Sequence, residues 1–402
     1  MNKVYIIDAK RTPIGSFLGT ISTIHPADLG GVVVKNIIES NNINASDVDE
    51  IIVGNILPAG QGQGIGRQVG IKGGLPVEVP GYAINMVCGS GMKAVMSAYA
   101  NIRAGLHNLV LAGGSESMSQ APHIMPSTVR TGYKMGDMKV KDHMIFDALT
   151  DAYEGYHMGV TAENIVTKHS ITREEQDAFA MNSIEKSIAA VDAGRFADEI
   201  VPVEVKLRRE TITFNSDEYP NRKSTIERLA KLRAAFKKDG SVTAGNASGI
   251  NDGASMMLLA SEEYVKANNL TPLAEIIAVG QGGVDPSVMG LGPVPAIGNA
   301  LKQADLELKD IELLELNEAF AAQSIGVVKE LSENHNQTFE AIVERTNVNG
   351  GAIGLGHPVG ASGNRIITTL VHEMVKRDNT YGLASLCIGG GMGTAIILKR
   401  NQ

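Results

Sequence analysis

Short apolar segments alternate with longer segments of helical period along this chain. The strand candidates, bounded by glycine or polar residues, are 4–8, 51–56, 82–87 and 109–113. Between them, segments 27–40 and 89–104 carry apolar residues at helical spacing, and Gly105 ends the second segment. Strands that alternate with helices in this way predict an α/β fold.

The C-terminal third repeats the same order of elements. Its predicted elements are strands 273–279, 311–316, 381–388 and 394–399 and a helix at 294–304, with another helix before residue 381. Three landmarks also match in order: 48–55 with 310–317, 88–95 with 360–367, and 111–114 with 387–390. The matches favour a duplicated α/β unit, although a general likeness among α/β sequences is an alternative that they leave open.

The segment between the two halves has a different composition. It is rich in methionine, histidine and charge, and Thr172 and Glu175 have the spacing of a capping box before an amphipathic run to Gly194. We therefore predict three parts: an N-terminal half at 1–118 plus 250–271, an inserted loop domain at 119–249, and a C-terminal half at 272–402.

Composition and charge narrow the function classes. The 402 residues contain no tryptophan, 4% aromatic residues and a formal net charge of −8, which argues against a nucleic-acid or anionic-membrane partner. One basic segment, 204–238, carries ten Lys and Arg against five Asp and Glu. It suits an anionic ligand or a solvated helix face equally well.

The location follows from what the sequence lacks. Residues 1–8 enter a strand with no signal-peptide core, and no stretch of about 18 apolar residues follows. Two cysteines cannot form a disulfide framework. We expect a cytoplasmic protein that does not span a membrane.

Both cysteines lie at predicted strand ends, where α/β sites gather. Cys88 precedes the helix that opens with Gly89, Ser90 and Gly91, so helix N–H groups are expected to lower its pKa toward thiolate. Cys387 precedes a glycine cluster whose amides can cradle an oxyanion. Buried core cysteines are the alternative in each case.

Two further polar residues follow the same pattern. His357 lies in a loop of glycines before Pro358, where an imidazole can deprotonate a thiol and then stabilise an oxyanion. Asn317 follows strand 311–316, either as a helix cap or as a group that holds a water or ligand. No second histidine or carboxylate lies at ligand spacing, so we predict no metal site.

These residues belong to motifs that occur together in one family. The chain resembles the thiolases, and most closely their acetyl-CoA acetyltransferase branch, over its whole length. The motifs are Arg11-Thr-Pro-Ile-Gly, Asn85-Met-Val-Cys-Gly-Ser-Gly, Gly113-Gly-Ser-Glu-Ser-Met-Ser, Ala244-Gly-Asn-Ala-Ser-Gly, Asn317-Glu-Ala-Phe, Gly356-His-Pro-Val-Gly-Ala-Ser-Gly and Cys387-Ile-Gly-Gly-Gly.

The resemblance implies thiolase-like duplicated α/β halves packed in α-β-α-β-α layers with an inserted loop domain. It also implies a ping-pong acyl transfer through an acetyl thioester of Cys88, activated by His357. Cys387 would remove the α-proton of a second acetyl-CoA. One oxyanion hole would comprise His357 and a water held by Asn317, and the other the N–H groups of Cys88 and Gly389.

The ligand assignments also come from the resemblance. The substrates would be acetyl-CoA, acetoacetyl-CoA and CoA, with no separate cofactor, and the chain would form a homo-oligomer, a dimer of dimers. Residues implied to contact the substrate are Ser248, Ala244, Ala247, Leu149, His157, Met158, Phe236, Met289, Ala319 and Phe320. Arg222 or Lys223 would serve the nucleotide end, although segment 219–224 departs from the family pattern.

The reaction implied by the resemblance is the condensation of two acetyl-CoA molecules. A broader 3-ketoacyl-CoA thiolase is the alternative within the family, and His157 and Met289 favour the short substrate. A decarboxylating ketosynthase would need a second loop histidine in place of Cys387, and a non-catalytic acyl-CoA binder would not need two thiols. The sequence does not indicate which direction of the reaction prevails.

Overall fold

The computed structural model describes residues 2–400, so Met1, Asn401 and Gln402, which the predicted halves include, lie outside it. The strands are β1 (Val4–Arg11), β2 (Gly15–Ser16), β3 (Glu50–Gly54), β4 (Gly81–Ile84), β5 (Leu109–Ser117), β6 (His123–Ile124), β7 (Lys141–Asp142), β8 (Val203–Lys206), β9 (Thr211–Phe214), β10 (Asn251–Ser261), β11 (Ala274–Gly283), β12 (Leu313–Leu316), β13 (Tyr381–Ile388) and β14 (Met392–Lys399).

The helices separate these strands as the periodicity predicts. They are α1 (Pro26–Ser40), α2 (Ile65–Lys72), α3 (Ser90–Arg103), α4 (Met158–His169), α5 (Arg173–Asp192), α6 (Ile226–Ala230), α7 (Glu262–Ala267), α8 (Pro293–Ala304), α9 (Ala321–His335), α10 (Phe339–Glu344), α11 (Ala352–Leu355) and α12 (Val359–Arg377). The predicted strands and helices of both halves are confirmed with shifted ends. The fully buried strand β10 was not predicted.

The sheet order shows the duplication directly. In the first half the strands lie in the order β1-β10-β5-β3-β4, and in the second half in the order β11-β14-β13-β12. The second half adds a parallel bridge from Leu314 to Thr346 at the position of β4. The two halves join where β1 pairs antiparallel with β11, at Tyr5 and Ile6. General likeness among α/β folds does not produce the same strand order twice.

Helices cover the sheet in layers. Helices α3 and α12 lie between the two sheet halves, where Met92 and Leu370 share one core with strand residues such as Val110 and Leu386. Leu29 and Val33 of α1 cover the outer face of the first half. Helices α8 and α9 cover the outer face of the second half. The expected α-β-α-β-α order is confirmed.

Glycines let the starts of α3 and α12 approach each other closely. A Cβ on Gly91 of α3 would lie 2.8 Å from the Gly360 carbonyl oxygen of α12, and one on Gly114 would lie 2.0 Å from it. No side chain longer than hydrogen fits at these contacts. The residues just before the two helices are thereby brought to one place.

The segment at 119–249 contains long loops, a small hairpin of β8 with β9, and helices α4 to α6. The predicted capping box of Thr172 and Glu175 is present at the start of α5. The amphipathic character expected of α5 is wrong, because its buried face carries Gln176, Asp177 and Ser183. These polar groups are buried because other side chains bind them, as Asn246 binds Asp177. The limits of the three predicted parts stay a prediction.

Candidate active site

The turn before α3 holds Cys88 in a restricted backbone conformation. Val87 has a φ of 45°, a left-handed conformation that β-branched residues rarely adopt. The hydroxyl of Ser90 fixes this turn, since it donates to the Val87 carbonyl at 2.6 Å and accepts from the Met86 N–H at 2.8 Å. The thiol therefore stands at a rigid corner between β4 and α3.

The Cys88 sulfur accepts hydrogen bonds from the backbone N–H groups of Gly389 and of Cys88 itself. These donors favour a thiolate, but burial outweighs them and raises the pKa of Cys88 to about 11. The expectation of a lowered pKa at the start of a helix is therefore wrong for the free protein. The two amides nonetheless converge where the resemblance places an oxyanion hole.

His357 is buried and its two ring nitrogens differ. Nδ1 lies 2.6 Å from the Ser362 hydroxyl, which itself donates to the Pro358 carbonyl. The Ser362 oxygen must then accept from Nδ1–H, which leaves Nε2 as the unprotonated nitrogen. Nε2 is buried without a protein partner among the described residues. Burial, and then the charge of Arg365, lower the pKa of His357 to about 3, so the ring is neutral.

Cys88 and His357 lie just before the starts of the two central helices, α3 and α12. Cys88 packs against a buried cluster that contains Val359, two residues after His357, and Ile56 and Leu57 after β3. The main chain of His357 is held in place by its N–H, which donates to the Asn251 side chain at 2.9 Å. The structure thus brings the predicted nucleophile and the predicted base into one region.

Asn317 follows β12 and is buried, with 1% of its surface exposed. Neither its amide nitrogen nor its amide oxygen has a partner within residues 2–400. The capping alternative is wrong, because α9 starts at Ala321 with no side-chain cap. An unpaired buried amide of this kind suits a bound water or a polar ligand atom.

Cys387 lies at the end of β13, two residues before Gly389, and is also buried. Burial raises its pKa, and the negative charge of an ionised Cys88 raises it further, which places the two sulfurs within electrostatic range of each other. The residues packed around Cys387 include Met158, Ala247, Met289, Ala319 and Phe320. These are residues that the resemblance assigns to the substrate channel.

Aromatic rings extend this wall. His157 stacks on Phe236 with ring centroids 4.6 Å apart, and Phe236 meets Phe320 edge to face at 6.0 Å. The Gly159 N–H donates to Nδ1 of His157 at 3.0 Å, so the proton of the neutral ring is on Nε2. Leu149, whose carbonyl accepts from the Met158 N–H, packs in the cluster beside Cys88.

A cleft of about 890 Å³ reaches this wall from the surface. It is lined at its outer end by Arg222, Lys223 and Arg228, and at its inner end by Ala244 and Ala247. The next residue, Ser248, is anchored by its N–H, which donates to the Ala319 carbonyl at 3.0 Å. The basic segment thus serves one end of a cleft whose other end reaches the Cys387 cluster.

The basic segment is not the helix face considered as an alternative. It forms the hairpin of β8 and β9, a loop, and the five-residue helix α6. Arg222 is exposed and makes a bidentate ion pair with Asp192, at 2.9 and 2.5 Å. An incoming phosphate would have to compete with Asp192 for this guanidinium.

Ser362 and Glu116 belong to the family motifs and carry roles at the site that the sequence did not indicate. The Ser362 hydroxyl fixes the His357 ring through its contact with Nδ1. The two residues are five positions apart, and this spacing does not by itself predict a hydrogen bond between their side chains. Glu116 of β5 is fully buried and accepts hydrogen bonds from backbone N–H groups near Cys88. Glu116 lies three residues beyond the predicted strand 109–113, so no signal in the sequence indicated that its carboxylate is buried.

Residues 2–400 contain neither a metal-binding cluster nor a membrane-spanning helix. No group of three or more histidine, cysteine or acidic residues there is arranged to hold a metal ion. No helix in that range combines the length and the apolar character needed to cross a bilayer.

Comparison with known proteins places this geometry in a family. Residues 4–263 match the family model "Thiolase, N-terminal domain" and residues 270–400 match "Thiolase, C-terminal domain". The chain is 50% identical over 402 residues to an acetyl-CoA acetyltransferase of Pseudomonas aeruginosa, with 100% of both chains covered.

Solved structures agree with the family models. An acetyl-CoA acetyltransferase of Bacillus anthracis superposes with a TM-score of 0.95 at 42% identity, covering 100% of this chain and 99% of the other. Human mitochondrial 3-ketoacyl-CoA thiolase in complex with CoA gives a TM-score of 0.93 at 43% identity, covering 100% and 98%. The chain belongs to the thiolase family.

Proposed function

We propose that this protein is an acetyl-CoA C-acetyltransferase, which reversibly condenses two acetyl-CoA molecules to acetoacetyl-CoA and CoA. The observation that carries the proposal is one site with two thiols, a neutral histidine whose Nε2 is unpaired, and two backbone N–H groups directed at the Cys88 sulfur. The similar enzymes of Pseudomonas aeruginosa and Bacillus anthracis carry the same name.

The first half-reaction forms acetyl-Cys88. His357 Nε2 accepts the thiol proton as the Cys88 sulfur attacks the thioester carbonyl carbon, and the N–H groups of Cys88 and Gly389 stabilise the oxyanion. The C–S bond to CoA then breaks, and the leaving sulfur takes the proton of Cys387. Burial raises the pKa of Cys88 and lowers that of His357, so this proton moves only as the sulfur attacks.

The second half-reaction joins two carbons. The Cys387 thiolate removes an α-proton from a second acetyl-CoA, and its raised pKa makes it a stronger base. The enolate oxygen accepts from protonated His357 Nε2 and from a water held by Asn317. The enolate carbon attacks the acetyl group, the bond to the Cys88 sulfur breaks, and that sulfur recovers its proton from His357.

The packed wall around Cys387 favours a short acyl chain. His157, Phe236, Met158 and Met289 lie against one another or in one cluster, and we infer that this wall limits the length of the acyl chain. The similar human enzyme is named a 3-ketoacyl-CoA thiolase, which keeps broader chain length as the alternative. Comparing turnover of acetoacetyl-CoA with that of a long 3-ketoacyl-CoA separates them, and equal rates would defeat the short-chain proposal.

The assembly and location belong to the same proposal. Exposed apolar side chains in the segment 119–249 include Met125, Met135 and Tyr133, which suits contacts between dimers in a homotetramer. Strand β4 ends the sheet and has a free edge within residues 2–400, which suits the contact within a dimer.

Two free cysteines and a thiol-dependent mechanism suit the cytoplasm. CoA thioesters act as substrates, and the proposed chemistry uses no further cofactor.

Removing Cys387 separates the two half-reactions. We expect Cys387→Ala still to gain an acetyl label from acetyl-CoA, more slowly than the parent because the leaving CoA sulfur must take its proton from solvent, but to form no acetoacetyl-CoA, because the base for the α-proton is missing. Intact-protein mass measured before and after addition of acetyl-CoA detects the label, and Cys88→Ala is the unlabelled control. Absence of a label on Cys387→Ala would show that the proposed division of roles is wrong.

A further inference from the structure

Glu116 is a buried carboxylate that links the two halves beside the reacting groups. It is fully buried near the end of β5. One carboxylate oxygen accepts from the Asn55 amide at 3.0 Å and from the Leu57 N–H at 3.2 Å, and the other accepts from the Ile56 N–H at 2.9 Å. These partners form the chain that follows β3 in the first half.

The same carboxylate reaches into the second half. The Gly360 N–H is among the donors to Glu116, and a Cβ on Gly360 would lie 2.4 Å from Oε2 of Glu116. Helix α12 starts with no side-chain cap of its own. Since the start of a helix favours a negative charge, Glu116 serves as the cap of α12 from across the boundary.

Both ends of this link lie beside the reacting groups. Ile56 and Leu57 pack in the cluster that holds Cys88, and Gly360 follows His357 by three residues. The negative charge of Glu116 also contributes to the raised pKa of Cys88. No step of the proposed reaction uses Glu116.

We propose that Glu116 is a positioning residue for acyl transfer: its carboxylate fixes the wall of the Cys88 pocket to the helix that follows His357, and its charge adds to the burial that keeps Cys88 as a thiol until substrate binds. This inference rests on the proposed function. It predicts effects on Cys88 in the free protein, where no turnover is needed.

The charge of Glu116 is set by its surroundings. Burial raises the pKa of this carboxyl to about 7, against the opposing effect of its N–H donors, and Asp252 of the neighbouring strand β10 raises it further. Glu116 is then largely ionised at pH 8 and largely protonated at pH 6. Its effect on Cys88 should accordingly be strong at pH 8 and weak at pH 6.

The test is the rate at which iodoacetamide alkylates Cys88 in the full chain, followed by mass spectrometry. We expect Glu116→Gln to alkylate about three- to tenfold faster than the parent at pH 8, because loss of the charge lowers the Cys88 pKa, and at a nearly equal rate at pH 6. Glu163→Gln is the matched control, since Glu163 is also buried and accepts from two consecutive N–H groups, those of Ser241 and Val242. An unchanged or slower rate for Glu116→Gln at pH 8, or the same change in the control, would overturn the role of the charge.

A second variant tests positioning and guards against misfolding. Glu116→Asp keeps the charge but shortens the side chain, so we expect parent-like alkylation with roughly tenfold slower formation of acetyl-Cys88, and an unchanged KM for acetyl-CoA. Parent-like acetylation in this variant would refute the positioning role. If the proposed function failed instead, the parent chain itself would gain no acetyl label while the alkylation differences persisted.

Discussion

The two halves of the molecule place an asparagine at the same point and use it differently. Asn55 follows β3 and Asn317 follows β12, at matching positions of the duplicated unit. The Asn55 nitrogen donates to the Ser115 carbonyl and to Glu116, at 3.0 Å each. Within residues 2–400 the Asn55 oxygen has no partner, and neither amide atom of Asn317 has one. The first half uses the amide nitrogen at this position for structure, and the second half leaves both amide atoms open for a ligand.

The turns before the two central helices differ in the same way. In the first half the turn carries Cys88 after the strained Val87, and in the second half it carries His357 after Gly356, whose φ is 104°. Each half supplies one reacting group at the same topological point. Close packing of Gly91 and Gly360 then brings these groups together. The duplicated fold therefore forms the site at the contact between its copies, where each copy contributes a different group.

Removing the imidazole, which the second half contributes, should have the largest effect on the reaction of Cys88, which the first half contributes. We expect His357→Ala to form acetyl-Cys88 about 10² to 10⁴ times more slowly, because the group that takes the thiol proton is lost. Rapid quenching with intact-mass detection measures the rate. His372→Ala is the control, since His372 is a buried histidine of α12, the helix that follows His357, and its Nε2 contacts the Ala9 carbonyl at 2.7 Å. Equal losses in both variants would mean that His357 acts only through folding.

The sequence indicated which residues belong to the candidate site, but not their pKa values or the hydrogen bonds that hold them. A strand end before a glycine-led helix indicated Cys88, a strand end before a glycine cluster indicated Cys387, and a glycine-rich loop indicated His357, because backbone geometry at these points depends on local residues. The pKa of Cys88 did not follow, since burial by Ile56, Leu57 and Val359 depends on packing between distant segments. The links from Glu116 to Gly360 and from Ser362 to His357 were also out of reach, because hydrogen bonds depend on the final geometry.

The fold was predictable to a similar degree. Local periodicity gave the strands and helices, and the repeated landmarks gave the duplication. Strand β10 was missed because its apolar part, 256–260, follows the small and polar residues 251–255. The buried polar face of α5 was missed because its partners, such as Asn246, lie far along the chain.

The asparagine pair sharpens the comparison further. We expect Asn317→Ala to slow condensation about 10²- to 10³-fold, since one donor of an oxyanion hole is lost, without lowering the free energy of unfolding. Asn55→Ala should lower the free energy of unfolding by about 1 to 3 kcal/mol, because buried acceptors lose their donor. Condensation rates and denaturant titrations on both variants measure these effects. If Asn317→Ala were destabilised as much as Asn55→Ala, both positions would be structural.

The smallest expected effect concerns the orientation of the imidazole. Ser362→Ala removes the oxygen that accepts from Nδ1–H of His357, so the ring loses the contact that keeps Nε2 free for the Cys88 proton. A neutral hydrogen bond contributes about 1 kcal/mol, which corresponds to roughly fivefold slower acetylation of Cys88. Ser187→Ala is the control, since Ser187 is a buried serine of α5 whose hydroxyl donates within that helix at 2.8 Å. Parent-like acetylation in Ser362→Ala would mean that packing alone orients the His357 ring. The imidazole of the second half would then need no hydrogen bond to hold it, whereas the turn that holds Cys88 in the first half is fixed by the Ser90 hydroxyl.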